Sequence, residues 1–171
     1  DDEVVKWLSR AGLKDVHIAV ESGHQYTLTN IVKKGGLTLK KIKEAVAVLN
    51  KYDIIIRNFF IIGFPGETHK DVFITFWYLI KMSFIGVHDI SMGVFAPYPG
   101  SEIYDDLVKK GKIKHDEDYW KKMTYVDISF GGSFCENISS RWLLFYNWLG
   151  YFLFYASNYI FRPIRLYKTI K

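Results

Sequence analysis

Three apolar runs set the frame for this chain: "VHIAVESG" (Val16 to Gly23), "IIIRNFFIIGF" (Ile54 to Phe64) and "HDISMGVFAPY" (His88 to Tyr98) start roughly 35 to 40 residues apart. Each is followed by turn residues and then by a stretch with helical spacing. "TLKKIKEAVAVLNKYD" puts Ile42, Ala45, Val46 and Leu49 on one face. A second helix is expected from about His69 to Phe84, and a short third one in "SEIYDDLVKKG", capped by Ser101 and stopped at Gly111. Such a period suits parallel strands joined by crossover helices. The runs are nearly continuous in apolar residues, as when both faces of a sheet are covered. One alternation in each is nevertheless smaller or more polar: His17, Ala19 and Glu21; Arg57 and Gly63; Asp89, Ser91 and Gly93. Helices on one side and a polar interior on the other describe a barrel wall, and three strands do not close a barrel. The expected fold is therefore α/β, a partial (β/α) barrel of the TIM type. Further strands are expected upstream, and the isolated chain should show exposed sheet edges.

The second run ends in "FFIIGFPGET", where two glycines, a proline and a glutamate crowd one turn. Glycine permits tight bends or close approach of another molecule, and proline stiffens the exit. Thr68 and Asp71 have the spacing of a capping box for the next helix. In α/β proteins a ligand usually sits at such a strand-to-helix turn. Glu67 is expected to brace its own loop.

The 171 residues suffice for one domain with a core. A single cysteine, Cys135, excludes an internal disulfide and points to a reducing compartment. It is read as a small buried thiol. The net charge of +5 sits wholly beyond residue 136: no acid follows Asn137, whereas Arg141, Arg162, Arg165, Lys168 and Lys171 do. An excess confined to one aromatic tail does not point to nucleic acid. The chain opens at Asp1 with "DDEVVKWLSRAG", already helical in pattern, and is read as starting inside a larger protein.

Three further segments, "AGLKDVHIAVESGHQYTLTNIVKKG", "NFFIIGFPGET" and "FAPYPGSEIYDDLVKKG", together resemble the second half of a radical S-adenosylmethionine (SAM) domain. Their order is closest to the family whose members often carry an N-terminal cobalamin-binding domain. They are also similar to the corresponding part of the methylthiotransferases. The resemblance spans about residues 1–112. It implies SAM and a [4Fe–4S] cluster as cofactors, with cobalamin as a further one. The intact enzyme would generate a 5′-deoxyadenosyl radical, with methylation of a carbon centre as the outcome on a small-molecule or lipid-like substrate. The family's CxxxCxxC loop has no counterpart here, and one cysteine cannot supply three thiolates. The cluster ligands would then lie in the N-terminal remainder of the same protein, and this chain alone would be inactive.

Residue by residue, Glu21, Ser22 and Gly23 resemble the ribose-contacting strand end. Ile62 and Gly63 resemble an adenine-contacting segment, and Phe95, Ala96 and Pro97 resemble the strand that closes over the adenine. Arg57 is assigned to the SAM carboxylate. No catalytic residue and no metal ligand is expected in the chain itself. A structural alternative pairs Glu21 with Arg57. His17 and His88 are expected to be satisfied strand histidines, His24 to face solvent, and His115 to carry no role.

Residues 1–112 are read as the half-barrel, 113–138 as a connecting region and 139–171 as an aromatic, basic helical tail. Within the tail, 142–161 holds twenty residues without a charge. Three placements stay open: packed on the barrel, lying at a membrane surface, or crossing the bilayer. The location is accordingly cytoplasmic, with peripheral membrane contact as an option. A competing function is a truncated, non-catalytic module that binds a membrane surface or a partner through this tail.

Overall fold

A computed structural model describes residues 1–123 and 132–162. Its centre is a parallel sheet of three strands in the order β1 (Asp15–Glu21), β2 (Ile55–Ile62), β3 (Asp89–Val94). Between them run α2 (Leu39–Leu49) and α3 (His69–Ile85), and α1 (Asp2–Arg10) precedes the sheet. The alternation is visible in burial: Ile56, Asn58, Phe60 and Ile62 are buried, whereas Arg57, Phe59 and Ile61 are half-buried. The buried phase meets Ile42, Val46, Leu49, Val72, Phe76 and Leu79 from the two helices in one core. Thus the helices lie on one side of the sheet. α3 begins with the expected capping box, Thr68 and Asp71 each accepting the other's backbone N–H. α1 forms as its spacing requires but buries no residue.

The chain departs from expectation after β3. The short α4 (Glu102–Lys109) does not cover the sheet. Its Tyr104 and Leu107 join Phe64, Phe95, Ile113 and Tyr119 in a second, smaller cluster, together with α5 (Glu117–Lys122). The covering helix of the third unit is α6 (Ser140–Phe161), whose Leu143, Tyr146 and Phe154 belong to the main core. It runs parallel to α3: their first turns meet through His69 and Trp142, ring centroids 5.7 Å apart, and their last turns through Phe84 and Phe161 at 4.2 Å. α6 therefore shares the core of the strand–helix units.

Side chains of α6 also cap the outer edge of β3. Tyr151 Oη accepts the Met92 N–H (2.9 Å), Asn147 Nδ2 donates to the Met92 carbonyl (2.8 Å), and Asn158 Nδ2 donates to the carbonyls of Val87 and His88 (3.3 Å each). An edge whose polar groups are used in this way is no template for another strand. Of the exposed sheet edges expected, the one beside β3 is thus covered by α6 at Val87, His88 and Met92. The bilayer-crossing placement falls on the same residues, because the amides of Asn147 and Asn158 are needed against β3. Among the described residues no helix is long and apolar enough to cross a membrane.

Candidate functional site at the carboxyl ends of the strands

β1 ends irregularly. Its pairing with β2 slips between Ala19 and Glu21, and Glu21 itself has φ 67°. For a residue with a Cβ this is the left-handed region, a strained conformation that persists where the surroundings impose it. Lys34, from the loop after β1, imposes it here by donating to the Ala19 carbonyl (3.0 Å) and to Glu21 Oε1 (2.8 Å). The carboxylate is thus presented at the rim with an ammonium beside it.

Ser22 and Gly23 are used differently. Ser22 is fully buried, its hydroxyl 3.3 Å from that of Thr75 on α3 and accepting the His24 N–H at 3.1 Å. A Cβ on Gly23 would lie 2.6 Å from that of Tyr78 and 2.7 Å from the Thr75 Cα, so glycine is demanded by the close approach of α3. Both residues lock the strand end onto α3 and are turned from the rim. His24, expected in solvent, instead places Nδ1 3.1 Å from Asp71 Oδ1.

β2 ends at Ile62, whose side chain is buried in the main core and whose carbonyl accepts the Phe95 N–H at 2.8 Å. Gly63 follows with φ 83°, and a Cβ there would stand 2.8 Å from Leu143 Cδ1 of α6. Glu67 braces this turn as expected: Oε2 accepts the Gly63 N–H at 2.6 Å and the Phe64 N–H at 3.3 Å. It is 1% exposed, and Oε1 has no hydrogen-bond partner among the described residues. Burial pushes its carboxyl up to about 7, against the pull of the two N–H groups. The residues before α6 clamp the turn from outside. Glu136 Oε2 accepts the Gly66 N–H (2.7 Å), Cys135 Sγ donates to the Glu67 carbonyl (3.1 Å), and Asn137 donates to the carbonyls of Gly66 and Glu67.

After β3, the Phe95 ring packs 5.0 Å from that of Phe64. The Pro97 carbonyl accepts the Tyr119 hydroxyl at 2.8 Å, and Ala96 is half-buried between them. His115 Nε2 lies 2.7 Å from the Tyr104 hydroxyl, so it helps to seat α4 under this layer.

The structure therefore brings Glu21, Gly63, Phe95, Ala96 and Pro97, with the backbone of Ile62, to one end of the sheet. Arg57 is not among them. It is the third residue of β2, paired with Asp89 and His17 near the strand starts. Five residues at about 3.3 Å each separate it from Ile62. Its guanidinium is held by Asp15 (3.0 Å) and Asp89 (3.2 Å), so the expected partnership with a SAM carboxylate and the alternative pair with Glu21 both fail. Lys34 takes Glu21 instead. Sequence reasoning missed Lys34, which no periodicity marks. It also missed Phe59 and Ile61, which share the phase of Arg57 and which alternation alone would have placed on the open face.

This rim offers a carboxylate–ammonium pair, backbone at a glycine turn, and an open sheet face with Ala19, Phe59 and Ile61. That set fits a ligand with hydroxyls and a flat apolar ring, as a nucleoside has. It does not fit an iron–sulfur cluster. The one cysteine is buried, and among the described residues no group of three or more His, Cys, Asp or Glu side chains could hold a metal ion.

The model of the Radical SAM superfamily matches residues 1–76. Over 131 residues the chain is 26% identical to cytidylyl-2-hydroxyethylphosphonate methyltransferase of Streptomyces wedmorensis, covering 73% of this chain and 24% of that protein. It is 28% identical over 123 residues to bacteriochlorophyllide d C-12(1)-methyltransferase of Chlorobaculum tepidum, covering 70% and 25%. An uncharacterized methyltransferase of Pyrococcus horikoshii is 26% identical, covering 74% and 26%. The chain thus spans about a quarter of the length of the curated relatives it matches. In fold it is similar to the radical S-adenosylmethionine methyltransferase TsrM of Kitasatospora setae, solved with cobalamin and a [4Fe–4S] cluster. The TM-score is 0.54 at 16% identity, over 64% of this chain and 21% of that one. The part similar to the Radical SAM superfamily, residues 1–76, holds β1, α2, β2 and the start of α3.

Proposed function

We propose that the intact protein is a radical SAM methyltransferase and that this chain supplies the nucleoside side of its SAM pocket. The observation that carries the reading is the match of residues 1–76 to the superfamily, with the strand ends of that segment forming the rim. SAM held at this rim would supply radical chemistry beside a [4Fe–4S] cluster, and cobalamin would supply a methyl carrier. The cluster thiolates would come from residues outside this chain, which has one cysteine.

Within the chain, Glu21 accepts ribose hydroxyls while Lys34 holds its carboxylate in place. The turn at Gly63, kept rigid by Glu67 and residues 135–137, presents backbone to the adenine. Phe95, Ala96 and Pro97 close that side, fixed from behind by Phe64 and Tyr119. Ser22 and Gly23 act at one remove, by anchoring Glu21 to α3. The similarity to two methyltransferases of small molecules supports methylation of a carbon centre as the outcome, on a small-molecule or lipid-like substrate.

The test uses the full-length protein, purified without oxygen and incubated with SAM and a reductant. 5′-Deoxyadenosine should form in the wild type and fall at least tenfold in Glu21→Ala, from loss of ligand positioning. Absence of product from protein with a confirmed iron complement would refute the assignment.

A further inference from the structure

The outer face of α3 and α6 carries an aromatic surface that neither the core nor the rim uses. Phe73, Trp77, Trp142, Phe145, Trp148 and Phe152 are between 50% and 71% exposed. They form one surface, because the helices lie side by side and Tyr146 bridges them, 5.7 Å from Phe73 and 5.5 Å from Trp142. Along α6, Phe145, Trp148 and Phe152 follow the i, i+3, i+7 spacing of a single stripe. That stripe lies opposite the buried Leu143, Gly150 and Phe154. A helix apolar on both sides has a second apolar neighbour or environment.

The charges around this face say which. Lys70 and Lys81 are exposed on α3, with Lys81 Nζ 5.4 Å from the centre of the Trp77 ring. Arg141 opens α6 beside a groove of about 590 Å³ lined by Ser139, Trp142 and Phe145. Arg162 closes the helix, donating to the Phe84 carbonyl at 3.0 Å. No acidic residue follows Asn137. The one acid of α3, Asp71, is taken up by Thr68 and His24. The surface is therefore aromatic, cationic and free of available carboxylates. A second copy docked on it by two-fold symmetry would bring Lys and Arg together with no acid opposite. Anionic headgroups over an apolar layer complement it: rings settle at the boundary while Lys and Arg reach the phosphates.

We propose that the outer face of α3 and α6 docks on the surface of an anionic lipid bilayer, both helices lying in its plane with the rings of Trp77, Phe145, Trp148 and Phe152 immersed. This docking does not depend on the enzymatic assignment.

Flotation of the full-length protein with vesicles tests it, using phosphatidylcholine alone or with phosphatidylglycerol. Binding to the anionic vesicles should exceed that to the neutral ones on the order of a hundredfold, given three or four cations at the surface, and should weaken as salt is raised. Trp148→Asp combined with Phe152→Asp should abolish flotation while leaving the far-ultraviolet circular dichroism and 5′-deoxyadenosine formation unchanged. Lys81→Glu combined with Arg141→Glu should remove the preference for anionic lipid. No flotation with either vesicle, or equal flotation of the Asp variant, would overturn the proposal. So would a wild-type dimer that the Asp variant converts to monomer, since the face would then belong to a second copy.

Discussion

Glu67 offers a quantitative test of how the turn after β2 is built. The carboxyl is buried, accepts two backbone N–H groups through one oxygen, and has its other oxygen without a partner among the described residues. Burial raises it from 4.5 to about 7. As pH rises above 4.5 the unfolded chain releases this proton first, so between 4.5 and 7 the folded state binds more protons and loses stability. At about 1.4 kcal/mol per pH unit, ionising Glu67 takes roughly 3 kcal/mol from the folded state. The contribution is fully present below 4.5 and gone once pH has passed 7. Glu67→Gln keeps a carbonyl oxygen for the Gly63 and Phe64 N–H groups and never ionises. Urea unfolding of both proteins at pH 4.5, 6 and 7.5, followed by tryptophan fluorescence, isolates the effect in their difference. The two should be nearly equal at pH 4.5, and the Gln variant should be more stable by roughly 3 kcal/mol at pH 7.5. A difference that does not move with pH would refute the reasoning, since Glu67 would then ionise as an exposed carboxyl does.

Thr68→Ala removes the side-chain half of the capping box at α3 and should cost about 1 kcal/mol in the same urea assay. Tyr151→Phe leaves the Met92 N–H at the sheet edge without its acceptor; a loss of about 1–2 kcal/mol is expected, with faster amide exchange at Met92. Asn58 is fully buried and neither amide atom has a partner among the described residues. Asn58→Leu should therefore raise the urea midpoint by the equivalent of about 1–3 kcal/mol, and a lower midpoint would show that the amide is satisfied. Burial pushes the Cys135 thiol up, so the native protein at pH 7.5 should resist iodoacetamide until urea unfolds it.

Legibility differed between the elements and the site. The strands and α2 and α3 were readable because each carries its own period, and each period has one physical meaning in its own segment. The role of Glu67 was readable because brace and turn lie four residues apart. Arg57 was misassigned because its residue type suits an anion, while its distance from the strand end and its pairing with Asp15 and Asp89 exist only across strands. Ser22 and Gly23 look like ligand residues in sequence. Only the approach of Thr75 and Tyr78 shows that they serve packing.

By itself the sequence determined the alternation of strands and helices, the two-faced character of the sheet, and the lack of thiolates for a cluster in this chain. These are properties of local periodicity and of composition, which the chain cannot change by folding. Tertiary structure decided which helix covers the third strand. α6 displaced α4 from that role because its amides and tyrosine reach the unpaired backbone of β3 across more than fifty residues of chain. It also decided which polar residues face the rim at the strand ends. A side chain near the end of a strand can turn to the rim or to a neighbouring helix, and the neighbour that satisfies its hydrogen bonds settles the matter.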